Sequence, residues 1–239
     1  HVPRTPHPRF VGKSGMGPRG DAILELDWCV GELYKTLKSE KILENTLIIF
    51  SSDNGPVLND GYYDDAVEKI GNHTPSGGLR GGKYSLFEAG TRVPFIAYWK
   101  DRIKPGISDE IISQIDLFNS IATIVSSNMR SEDGIDLSNL ILNNKGKGRT
   151  ELVIEALRRT AYINKNWVLI PPYKGPPISK NVNIELGNSD EYKLYNLNED
   201  PSQNYNLANT EIEKLEEMIN SFIRIRGKIF RDWWKKNQK

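Results

Sequence analysis

Asp53 and Asn54 end an apolar run, IIFSSDNGP at 48–56, and set a carboxylate beside an amide carbonyl. Two adjacent hard oxygens are the kind of ligand that Ca²⁺ or Mg²⁺ takes, and Gly55 and Pro56 turn the chain away without covering them. The same four residues also read as a plain turn after a strand. A second stretch, SGGLRGGKYSLFEAGTRVPF at 76–95, packs five glycines around Arg80, Lys83, Glu88 and Arg92. Glycines let backbone approach a ligand closely, and the cations supply charge for an anion. Lys83 is the sharpest candidate here, because a flexible ammonium donor can follow an oxyanion as its charge moves to a leaving oxygen. Tyr84 follows Lys83, so the stretch does not contain the GxxxxGK[ST] phosphate loop.

The chain has three histidines. His1 sits in HVPRTPHP, a proline-stiffened segment that holds its side chain in a defined direction. His73, in GNHTP, lies just ahead of the glycine-rich loop, where it is placed to contact a substrate. His7 has only composition to support a role. A solitary histidine is otherwise a structural or solvated residue.

These residues need elements to hold them. Asp21 is a plausible N-cap, and Ala22, Leu26, Cys29, Val30, Leu33 and Leu37 recur at helical spacing after it, with Cys29 on the inward stripe as a small core side chain. TLIIFSS reads as a fully buried strand of a parallel sheet, and RVPFIAYW (92–99) as a second strand. DEIISQIDLFNSIATIV (109–125) reads as a helix with Ile112, Ile115, Phe118 and Ile121 or Ala122 inward. Helix alternating with strand predicts an α/β fold, and in an open parallel sheet ligands sit beyond the carboxyl ends of the strands, where Asp53 and Asn54 fall.

From 128 to 149 the composition turns to Ser, Asn, Gly and Lys, which predicts a boundary between a domain at 1–147 and a smaller α+β subdomain at 148–239. Beyond it, LVIEALRRTAYI, NWVLIPP and YKLYNL read as strands of a small antiparallel sheet. A helix from about Thr210 to Trp234 is expected to pack on that sheet, with Trp233 and Trp234 favouring docking over a membrane surface.

The whole chain has 239 residues, with 32 basic against 31 acidic side chains, so a formal charge of +1 gives no reason to expect nucleic acid or an anionic membrane as partner. No apolar run approaches the roughly 20 residues that span a bilayer. A single cysteine cannot form an internal disulfide and leaves the compartment open. No signal-peptide pattern follows His1, so any targeting segment lies outside these residues.

The segment from GKSGMGPRGDAILELDWCVGELYKTLKSEKILENTLIIFSSDNGP through GGLRGGKYSLFEAGTRVPFIAYW, with the tail LYNLNEDPSQNYNLA, resembles the type I, formylglycine-dependent sulfatases of the arylsulfatase A kind. The resemblance covers nearly the whole chain but only the C-terminal part of a sulfatase. It implies an alkaline phosphatase-like α/β fold, a partly parallel sheet flanked by helices. Asp53 and Asn54 match metal ligands, usually to Ca²⁺; Lys83 matches a lysine that contacts the sulfate; His1 resembles a histidine near the leaving oxygen. His73 and Arg80 are the further substrate-binding candidates.

The implied reaction is attack on sulfur by a formylglycine hydrate, with proton help to the departing alcohol. The C/S-x-P-S/A-R motif that yields formylglycine is absent here, as are the paired aspartates of the metal shell. Little or no turnover is therefore expected of this chain alone, and its implied partners are the missing N-terminal half and a sulfated carbohydrate or aryl sulfate ester. Two other readings stand beside the sulfatase: a phosphate ester hydrolase of the same superfamily, and a non-catalytic module that binds sulfated glycans through Arg80 and Lys83. Family members are commonly periplasmic, lysosomal or secreted.

Overall fold

The computed structural model describes the backbone of residues 1–237 and the side chains of residues 1–227. In chain order the elements are α1 (Gly17–Ser39), β1 (Ile48–Ser51), α2 (Glu88–Thr91), β2 (Phe95–Tyr98), α3 (Asp116–Ile124), α4 (Ser138–Asn143), β3 (Glu151–Ala156), β4 (Arg159–Asn164), β5 (Trp167–Ile170), β6 (Ile178–Ser179), β7 (Ile184–Glu185), β8 (Lys193–Asn196) and α5 (Ile212–Asn237). They fall into two compact units. The first holds residues 1–52, 58–73 and 94–150, and the second 53–57, 74–93 and 151–239. Composition along the chain marks a boundary near 148 but cannot show that 53–57 and 74–93 join the second unit.

In the first unit, Pro18 sits at the start of α1, where its missing N–H costs nothing. Asp21, expected to cap this helix, lies inside its first turns instead. Its buried carboxylate accepts hydrogen bonds from Gly12 N (2.8 Å), Ser14 N (2.9 Å) and Ser14 Oγ (2.7 Å), so it caps the preceding loop. Those donors hold the Asp21 carboxyl below its ordinary pKa, with the Ser14 hydroxyl first among the causes. The apolar stripe expected to face a core is exposed at Leu26, Val30 and Leu33, and Cys29 with it. Periodicity identified the stripe; no described element of this unit covers it.

β1 and β2 pair antiparallel, with Ile48 opposite Tyr98 and Ser51 opposite Phe95. The sequence predicted a fully buried parallel strand, yet all of β1 is half-buried. A continuous apolar run reports that both faces are partly covered, whereas the direction of the neighbouring strand depends on the connection. Gln114 Nε2 closes the end of β1, donating to Ser51 Oγ at 3.3 Å and Ser52 O at 2.5 Å.

α3 begins at Asp116 rather than 109, and it buries mainly polar residues, with Ala122 from the expected apolar set among them. Asp116, Asn119, Ser120 and Ala122 face inward, while Ile115, Phe118 and Ile121 are exposed. The polar face is satisfied throughout: Arg149 pairs with Asp116, the Asn119 amide donates to Ser131 O and Gly134 O, and the Ser120 hydroxyl accepts from Leu137 N. Buried polar groups survive folding only when so paired.

The second unit carries a four-stranded antiparallel sheet in the order β3-β4-β5-β8. LVIEALRRTAYI, read as one strand, folds back on itself as the β3–β4 hairpin, with Ala156 opposite Arg159. α5 packs on this sheet as expected. Its Met218 and Phe222 close a core with Tyr162, Leu169, Leu194 and Ala208. Each large side chain removed from water there contributes about 1.5–3 kcal/mol. The helix is interrupted at Gly227, which is non-helical at φ +79°. Trp233 and Trp234 lie outside the residues whose side chains are described.

Candidate active site

Two backbone hydrogen bonds staple the Asp53–Pro56 turn to the glycine-rich segment. Gly55 N–H donates to Gly90 O at 2.9 Å, and Lys83 N–H donates to Pro56 O at 3.0 Å. The fit leaves no room for side chains: a Cβ on Gly55 would stand 1.6 Å from Ala89 O, and one on Gly90 would stand 2.2 Å from Ser85 O. The glycines expected to let backbone approach a ligand here let backbone approach backbone.

The segment is anchored from the sheet side as well. Ser85, fully buried, donates its hydroxyl to Glu185 O at 2.6 Å, and Leu86 N–H donates to Leu186 O at 3.2 Å. The Glu88 carboxyl is buried, and burial pushes its pKa above the ordinary value of 4.5 against the opposing pull of Arg92, 3.3 Å away. The buried Gln203 accepts from Glu88 N–H at 2.7 Å. Arg159, at the start of β4, donates to Tyr84 O at 2.9 Å and Leu186 O at 3.0 Å, and to Asn188. Arg159, Gln203 and Glu185 hold the Lys83 segment, and none was marked by sequence pattern, because each sits in a stretch that reads only as strand or turn.

The result is a cleft of about 170 Å³. Asp53 and Asn54 line it from the turn, Lys83, Tyr84 and Ser85 from the glycine-rich segment, Gly90 and Thr91 from α2, and Glu155 to Leu157 from the end of β3 and its turn. Asn54 donates its amide Nδ2 to Gly55 O at 2.9 Å, so the hydrogen bond engages the nitrogen, and the oxygen is the atom a hard cation takes. Lys83 Nζ lies 5.1 Å from the Tyr84 ring centroid.

Of the sequence-predicted site residues, Asp53, Asn54 and Lys83 come together in this cleft. Arg80 belongs to the same unit but does not line it. Its guanidinium pairs with Glu185, donates to Gln203 O at 2.6 Å and stacks 4.2 Å from the Phe87 centroid. His1 and His73 belong to the first unit. His1 Nδ1 donates to Val2 O at 2.9 Å, a carbonyl that can only accept, and its Nε2 stands 3.8 Å from Asp60. His73 is exposed, with its N–H on Ile70 O at 3.2 Å.

Residues 2–127, more than half of the chain, match the sulfatase family. The chain belongs to the sulfatases. It is 44% identical over 222 residues to an N-acetylgalactosamine-6-O-sulfatase of Bacteroides thetaiotaomicron, covering 91% of this chain and 43% of that protein. It is 30% identical over 234 residues to bovine (Bos taurus) arylsulfatase A, covering 92% and 44%. A solved structure from work on the metabolism of glycosaminoglycans by Bacteroides thetaiotaomicron superposes with a TM-score of 0.89 at 43% identity, over 93% of this chain and 47% of that one. A Pseudoalteromonas sulfatase superposes with a TM-score of 0.74 at 27% identity, over 93% and 45%. This sulfatase chain therefore has the expected α/β fold and spans less than half the length of these relatives.

Sulfatases generally use a metal ion. Among the described residues no group of three or more His, Cys, Asp or Glu could hold one. Asp53 and Asn54 fit two positions of a shell that needs six to eight oxygens for Ca²⁺. The charge balance fits as well. The lining sets two carboxylate residues, Asp53 and Glu155, against one ammonium, Lys83, and a divalent cation would reverse that sign for an incoming anion.

Proposed function

We propose that this chain is the C-terminal portion of a sulfatase that hydrolyses a sulfate ester of a sulfated carbohydrate. The observation that carries the reading is the cleft that Asp53, Asn54 and Lys83 line together. Asp53 and Asn54 would hold a divalent cation, Ca²⁺, through their side-chain oxygens, and the cation would supply charge neutralisation for the sulfate. Lys83 binds a sulfate oxygen and follows its growing charge, a role worth a few kcal/mol of barrier. By its resemblance to the family histidine, His1 would serve the leaving oxygen. Its imidazole would donate a proton or hydrogen bond to the departing alcohol. Arg80 serves to hold the glycine-rich segment. The formylglycine nucleophile and the remaining metal ligands come from polypeptide beyond these residues.

The substrate class rests on the relatives, the first of which is named for N-acetylgalactosamine 6-O-sulfate. The test is sulfate release from N-acetylgalactosamine 6-sulfate by the full-length polypeptide that contains these residues, beside phosphate release from the matching phosphate ester. Release of sulfate that falls about 100-fold in Lys83→Ala is expected. Preference for the phosphate ester, or no release of sulfate from any ester, overturns the reading.

A further inference from the structure

The β3–β4 turn is a two-residue connection, and both central residues, Leu157 (φ +50°) and Arg158 (φ +64°), adopt left-handed backbone. Such turns favour Asn-Gly or Asp-Gly, because a side chain branching from a left-handed Cα crowds its own backbone. Leucine and arginine are unfavourable there. An outlier of this kind calls for a role outside the turn itself.

Leu157 has one. It is exposed, and with Ala156 it lines the cleft that Asp53, Asn54 and Lys83 share. The hairpin is fixed in that position, since Arg159, the residue after the turn, donates to the Tyr84 carbonyl directly beside Lys83. The cleft thus has charged residues suited to a sulfate group and an apolar contribution suited to carbon.

We infer that the β3–β4 turn is the wall that reads the alcohol half of the sulfate ester, with Leu157 as the specificity-determining residue that packs on the C–H face of a sulfated sugar ring. This rests on the sulfatase reading above and goes beyond it, because it assigns the residue that recognises the part of the substrate other than the sulfate. A leucine tolerated in left-handed backbone exchanges turn stability for substrate contact.

The test is Leu157→Asn in the full-length polypeptide. Asparagine suits left-handed backbone, so the thermal midpoint is expected to hold or rise, and misfolding cannot account for a loss. The KM for N-acetylgalactosamine 6-sulfate is expected to rise about tenfold, as for a lost apolar contact. kcat should stay within about twofold, and the inhibition constant of inorganic sulfate, which has no carbon to contact, should not move. An unchanged KM overturns the inference while the sulfatase reading stands. A parallel rise in KM and in the sulfate inhibition constant also overturns it, since the turn would then act on the anion end. A wild-type protein that releases no sulfate from any ester removes the reading and the inference together.

Discussion

Gly55 donates its backbone N–H to Gly90 O at 2.9 Å, and this contact brings the Asp53–Asn54 turn onto the segment that carries Lys83. The two stretches are separated by more than twenty residues of sequence and meet through backbone alone. Replacing Gly55 by Ala would drive a Cβ into the Ala89 carbonyl. We expect Gly55→Ala to lose ~1–3 kcal/mol in urea unfolding, as overpacked sites do. Gly31, half-buried in the middle of α1 with nothing within 4 Å of an added Cβ, has the opposite expectation: Gly31→Ala should gain ~0.5–1 kcal/mol.

Metal and sulfate binding should separate by variant. In the full-length polypeptide, Ca²⁺ is expected to raise the thermal midpoint and a chelator to lower it, since a ligand held only by the folded state stabilises it. Asp53→Ala should abolish that dependence on Ca²⁺. Lys83→Ala should keep it while losing the stabilisation given by added inorganic sulfate. If both variants lose both responses, separate roles for the two residues are refuted.

The buried Asp116 pairs with the half-buried Arg149, and Asp116 also accepts from Ser113 N–H and Ile135 N–H, both at 2.9 Å. Removing the arginine alone strands a buried carboxylate. Arg149→Ala should cost about 3–5 kcal/mol. Adding Asp116→Asn should recover part of the loss, because the amide oxygen still accepts from the loop while the unpaired charge is gone. Denaturant midpoints of the two singles and the double measure this directly.

Tyr195 is buried on β8, and burial pushes its phenol from 10.0 up to about 12, against the smaller opposing effect of Arg80. The folded protein therefore holds this proton where the unfolded chain has lost it. The associated stability is complete below pH 10 and disappears as pH rises towards about 12. Over that window the wild type should lose roughly 2–3 kcal/mol relative to Tyr195→Phe. Parallel stability curves for the two proteins across it would count against the assignment.

Much of the site was legible from residue types. Asp53 and Asn54 stood out because a carboxylate and an amide ended an apolar run, and Lys83 because glycines surrounded a lone ammonium. Arg80 also looked suited to an anion. Only the fold showed its guanidinium turned to Glu185, Gln203 and Phe87, partners distant in sequence. Arg159 and Leu157 gave no signal, since within LVIEALRRTAYI they read as one strand. That stretch bends because residues 157 and 158 take left-handed backbone, which neither residue type favours.

By itself the sequence determined the sulfatase family, the presence of α1, β1, β2 and α5, and the oxygen donors and ammonium that Asp53, Asn54 and Lys83 carry, because periodicity, turn chemistry and residue type are local properties. The tertiary structure decided which local features meet. Strand direction in β1–β2, the polar buried face of α3, the exposure of Cys29 and the seating of the hairpin on the Lys83 segment all depend on partners far along the chain. Burial is a property of the packed molecule: the same leucine or arginine serves as core, wall or clamp according to what folding places against it.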